Sequence, residues 1–202
     1  MTGPASGRAS DAGAPIVVVS GLPRSGTSMM MAMLHAGGLP IVTDGVRAAD
    51  DSNPAGYFED ERVKALEQDA AKVWLSEARG KAVKVISSLL HQLPDTHRYR
   101  VVFMHRDLQE VLSSQRRMLE RLGRDADEPA DAALAAAFER HLRDVSGWLD
   151  SRANFAVLNV QHRDLIDRPA SEAARVAAFV GASLDVPRMA AVVNPSLYRA
   201  RV

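Results

Sequence analysis

Eight consecutive residues, Gly21-Leu22-Pro23-Arg24-Ser25-Gly26-Thr27-Ser28, have the types and spacing for anion chemistry. At the start of a helix, the backbone N–H groups of Arg24 to Ser28 converge on one concavity, and the helix dipole favours negative charge there. Gly21 and Gly26 allow a tight turn and close approach of backbone to ligand. The hydroxyls of Ser25, Thr27 and Ser28 add donors. Loops of the pattern G-x-x-x-x-G-K-[ST] hold nucleoside triphosphates by putting the lysine on the far phosphates and the Ser/Thr on Mg²⁺. Here Thr27 stands in the lysine's place, and Arg24 is the only cation in the loop. That set suits a shorter anion, one phosphate carrying one further group, gripped without a metal.

The surrounding pattern supplies the elements that would position such a loop. Ile16 to Ser20 is a β-branched run without alternation, as in a strand buried on both faces. Thr27 to Ala36 reads as a methionine-rich helix stopped by Gly37 and Gly38. Residues 39–58 read as irregular, and Glu59 to Arg79 as an amphipathic helix with Val63, Leu66, Ala70, Val73 and Trp74 on one face. Further strands are expected at 82–88, 99–105 and 154–160. Helices are expected at 108–122, from a cap at Asp131 onward, and at about 170–180 and 185–193, with an acidic surface loop over 124–131. Strands alternating with helices imply a three-layer α/β/α fold around a mainly parallel sheet of about four or five strands. Residues 1–14 read as a disordered tail and 15–202 as one domain.

Bulk composition narrows the function classes. The 202 residues carry 25 Lys+Arg against 25 Asp+Glu, so the basic excess typical of a nucleic-acid binder is missing. There is no cysteine, which rules out disulfides and thiolate metal sites. No apolar run is long enough for a membrane span, and the amino terminus has no signal-like core. A cytoplasmic enzyme or binding domain is the expectation; oligomeric state is not readable.

"PRSGTS" resembles the 5′-phosphosulfate loop of the sulfotransferase family, whose pattern is Pro-Lys/Arg-Ser-Gly-Thr-Thr/Ser. "MHRDLQEVLSSQ" resembles the family's second signature, an arginine and a serine eight positions later at a strand-to-helix junction, here Arg106 and Ser114. The resemblance implies a P-loop-like fold and the donor 3′-phosphoadenosine 5′-phosphosulfate (PAPS), with no metal. It places Arg24, Ser25, Gly26, Thr27 and Ser28 on the phosphosulfate and Arg106 and Ser114 on the 3′-phosphate. It also implies that the tail residues Arg199 and Arg201 close over the donor.

The cytosolic branch of the family has a histidine two positions after a lysine as general base; Lys84 is kept here, but Ile86 stands at the histidine's position. "NPAGYFED" resembles the bacterial version, in which Glu59 would be the base, its pKa raised by desolvation beside Tyr57 and Phe58. Asp60 and Asp44 are substitutes, and a plain first-turn helix acid is the competing reading of Glu59. Arg24 would stabilise charge on the leaving phosphate, and Lys84 would steady the sulfuryl group. His162, where the family has tyrosine, reads either as part of a turn or as a ligand contact. The implied activity is sulfuryl transfer to a hydroxyl of a small molecule or carbohydrate. The alternatives are a P-loop nucleotide or small-molecule kinase and a non-catalytic nucleotide-binding relative.

Overall fold

The computed structural model of the chain describes residues 13–47, 56–121 and 128–194. Four strands form one all-parallel sheet in the order β2-β1-β3-β4. They are β1 (Ile16–Gly21), β2 (Ala82–Lys84), β3 (Tyr99–His105) and β4 (Phe155–Gln161). Every residue of β1 is buried, which explains its lack of polar alternation. Parallel strands need crossover connections, and the helices in those connections cover both faces. Met30, Met31 and Leu34 of α1 (Thr27–Ala36) pack on Val17 and Val19, together with Val176 of α6 (Pro169–Val180) and Met189 of α7 (Val186–Ala191). On the other face, Ile16 and Val18 meet Val63 of α2 (Glu61–Lys64), Trp74, Leu75 and Leu90 from two 3-10 turns, and Val145 and Leu149 of α4 (Glu128–Asp150). The expected α/β/α architecture is the one observed.

The register decides where chemistry can gather. Gly21 pairs with Met104, and His105 with Gln161, so β1, β3 and β4 end at one edge. Three helices start from that edge: α1, α3 (Leu108–Arg121) and α5 (His162–Asp167). The carboxyl edge of a parallel sheet is where α/β proteins hold their ligands.

Three sequence-based elements need correction. The helix expected over 59–79 is only the short α2, followed by turns and a 3-10 stretch at Val73–Ala78. Asp69 accepts the backbone N–H of Lys72 at 3.0 Å, and Lys72 sits at φ 46, so the helix cannot continue through this point. Val63, Leu66 and Trp74 still reach the core, whereas Val73 is 71% exposed. The strand expected over 82–88 ends at Lys84, and Ser87–Gln92 winds into a 3-10 turn. Finally, α4 begins at Glu128 rather than at a cap on Asp131; Pro129 suits a first turn, where its missing N–H is not needed. Leu122, most of the acidic loop and the tail with Arg199 and Arg201 lie outside the described residues.

Candidate active site

The glycine loop turns through two left-handed positions, Arg24 at φ 70 and Gly26 at φ 101. Gly26 is the N-cap of α1; it provides no side-chain cap, and the first turn has no acidic residue. The leading N–H groups of α1 are therefore left for an anion. A Cβ at Gly26 would stand 2.6 Å from Cδ2 of His162, so the loop tolerates no larger residue there. Ser25 turns inward: its amide and its hydroxyl both donate to the carbonyl of Leu22, at 3.2 and 2.7 Å. Thr27 is buried beneath the loop, and Ser28 faces the neighbouring loop around Tyr57.

The second motif touches the first. Arg106 leaves the end of β3 and donates through Nη1 to the backbone carbonyl of Arg24 at 3.1 Å. In turn Arg24 donates through Nε to Oγ of Ser114, one helix further on, at 3.0 Å. The loop and the Arg106–Ser114 turn thus form one connected basic surface. Glu110 completes it, accepting from Nε of Arg106 at 2.9 Å from the adjacent helical turn. Sequence reasoning overlooked Glu110, although an acid four residues after Arg106 on a helix is itself a readable signal.

A second cluster lies on the other side of Ser28. Lys84, at the end of β2 and almost fully buried, donates to Oγ of Ser28 (3.1 Å), the carbonyl of Tyr57 (2.9 Å) and Oε1 of Glu59 (3.1 Å). The guanidinium of Arg47 lies 3.2 Å from the same carboxylate and over the ring of Tyr57. Burial pushes the Glu59 carboxyl up, but Lys84 and Arg47 together outweigh it and hold the group below its usual value. The raised pKa expected from Tyr57 and Phe58 is therefore reversed, because the two cations come from segments outside that window. Burial also pushes the Lys84 ammonium down, and Glu59 opposes the shift. The substitute acids have other work. Asp60 is the N-cap of α2 and pairs with Arg62 at 2.8 Å, while Asp44 accepts the backbone N–H groups of Glu61 and Val46. His162, packed on Gly26, is held down to about 4 by burial and then by the Arg106 charge, so its ring is neutral at physiological pH.

Among the described residues no group of three or more His, Asp or Glu is placed to hold a metal ion. Nor is any described helix long and apolar enough to cross a membrane. A parallel sheet with a lysine-free glycine loop at its carboxyl edge, joined there to an arginine–serine turn, defines a domain with a P-loop-like fold. The family model for the sulfotransferase domain matches residues 14–200, and the chain belongs to that family. Among solved structures, the sulfotransferase domain from the curacin biosynthetic pathway is similar, with a TM-score of 0.53 at 14% identity, covering 94% of this chain and 92% of that one. The sulfotransferase domain of the Synechococcus PCC 7002 olefin synthase has a TM-score of 0.52 at 15% identity, covering 94% and 89%. At such identities the likeness is one of fold. Among proteins of curated function none matches the sequence.

Proposed function

We propose that the protein moves a sulfuryl group from PAPS to a hydroxyl of a small-molecule or carbohydrate acceptor, by in-line displacement and without a metal, in the cytoplasm. The observation that supports this reading is the hydrogen-bonded run Arg106–Arg24–Ser114, which joins the two motifs that would bind the two ends of the donor. The uncapped start of α1, with Thr27 and Ser28, would take the 5′-phosphosulfate. Arg106 and Ser114 would take the 3′-phosphate, and Arg199 and Arg201 would close over the donor from the tail. The two solved neighbours are domains of the curacin biosynthetic pathway and of an olefin synthase, which fits a small-molecule acceptor.

PAPS supplies a sulfuryl group on a good leaving phosphate, so the protein's part is positioning and charge stabilisation. Arg24 meets charge growing on the leaving phosphate, and Lys84 steadies the transferring group from beside Ser28. Glu59 is the general base for the acceptor hydroxyl. In the free protein Lys84 and Arg47 keep Glu59 ionised but weakly basic. A donor anion seated near Ser28 competes with Glu59 for the Lys84 ammonium, which loosens that pair and strengthens the base when it is needed.

Calorimetry with 3′-phosphoadenosine 5′-phosphate is the test. Binding is expected in EDTA, weakened about tenfold by Ser114→Ala, the loss of one hydrogen bond to a charged group. Binding of ATP that requires Mg²⁺, with none of the bisphosphate, would favour the kinase instead.

A further inference from the structure

A cavity of about 710 Å³ lies at the opposite end of the sheet from the glycine loop. Its wall includes Pro94 to His97, which lead into β3, and Asn154 and Phe155, where β4 begins. β3 is seven residues long, so at about 3.3 Å per residue the cavity and the carboxyl edge are about 20 Å apart. It therefore belongs to no part of the site described above.

The charges around this cavity do not balance. Arg152 is paired with the cavity's acid, Asp95, at 3.7 Å. The side chains of Lys72 and Arg79, both half-buried on its wall, make no hydrogen bond or ion pair among the described residues. Partly burying two cations without a counter-charge costs solvation that an anion would restore. Lys72 is also held at φ 46, a left-handed conformation that residues with a side chain rarely adopt. Beside them, His97 has a hydroxyl at each ring nitrogen, Thr96 at 2.9 Å and Ser76 at 3.4 Å. Burial and the Arg79 charge hold its pKa down. Two apolar side chains also line the cavity, Val73, which is exposed, and the half-buried indole of Trp148. The volume far exceeds what a free oxyanion fills and falls in the range of small-molecule pockets.

We infer that this cavity is a second binding site, which takes a small phosphate or sulfate monoester with its oxyanion on Lys72 and Arg79 and its organic part against Val73 and Trp148. The inference is independent of the transfer reaction proposed above.

The test is an NMR titration with phenyl phosphate and phenyl sulfate, following the indole N–H of Trp148, assigned with Trp148→Phe. The signal is expected to shift saturably in the wild type. The midpoint should rise at least tenfold in Lys72→Gln/Arg79→Gln, and likewise in Ser76→Asp, which adds a carboxylate to the wall. It should stay within twofold in Ser114→Ala, about 20 Å away. No saturable shift in the wild type would overturn the proposal. So would an unchanged midpoint in both cavity variants, or a loss confined to Ser114→Ala.

Discussion

Replacing Arg106 by alanine makes two separable changes, and the structure gives a size for each. The side chains of Arg106 and Glu110 are 10% and 8% exposed and lie 2.9 Å apart. Removing one member of a buried pair strands the other, at a cost of about 3 kcal/mol or somewhat more. In a domain of this size each kcal/mol moves Tm by about 2–4 °C, so Arg106→Ala should lower Tm by about 6–12 °C. The second change is the loss of the charged donor proposed for the 3′-phosphate, worth about 1.5–3 kcal/mol, or about 10- to 150-fold in Kd. Adding Glu110→Gln removes the stranded carboxylate but supplies no new cation. The double variant should therefore regain most of the lost Tm while its affinity for 3′-phosphoadenosine 5′-phosphate stays low. Differential scanning calorimetry and titration calorimetry read the two quantities independently. If the double variant recovers wild-type affinity, Arg106 holds the turn together and does not bind the phosphate, and the reasoning is refuted.

Other outcomes follow from neighbouring contacts. Glu59→Gln should lower kcat about 10²- to 10⁴-fold while donor affinity stays within about threefold; a loss of affinity with kcat intact would remove Glu59 from the base role. Gly26→Ala puts a Cβ 2.6 Å from the His162 ring at φ 101, so it should abolish donor binding and lower Tm. Adding His162→Ala to it should relieve the clash but not the backbone strain, visible as a partial recovery of Tm. The His162 imidazole, at about 4 in the fold against 6.5 when unfolded, takes up its proton first in the unfolded chain. Its contribution is thus fully present above pH 6.5 and falls by about 3 kcal/mol as the pH drops to 4. Urea unfolding of wild type and His162→Gln at pH 7.5 and 4.5 should show a gap that closes at acid pH; a gap that does not change would sink this account.

Much of the sheet was legible because β1, β2 and the centre of β3 are buried on both faces. β3 covers the expected seven residues around the apolar run Val101 to Met104, and β1 is extended by only Gly21. The spacing of Arg106 and Ser114 was legible too, since strand end and following helix lie within one stretch of chain. The segment from Glu59 to Arg79 misled because burial periodicity does not report the path between buried residues. Val63, Leu66 and Trp74 reach the same core whether or not a continuous helix connects them. α2 already ends at Lys64, and further on a side-chain acceptor, Asp69, captures the N–H of Lys72, so no helix runs on to Arg79. An apolar pattern assigns no weight to such a bond.

The candidate site's charge state was illegible for a different reason. Tyr57 and Phe58 beside Glu59 point to desolvation and a raised pKa, and that effect is present in the fold. Its sign is overturned by Lys84, 25 positions along the chain, whose ammonium reaches Glu59 only because β2 pairs with β1 so that Val19 lies opposite Lys84. Val83 and Val85 face one core while Lys84 faces the α1 side with Ser28. A slip of one residue in that pairing would turn Lys84 to the opposite face and leave Glu59 with Arg47 and the more distant Lys64. With Lys84, the most deeply buried of its cationic partners, gone, desolvation would meet much weaker opposition. The ionisation of the proposed base is therefore a property of strand register, and register follows from how the valines of β1 and β2 share themselves between two cores.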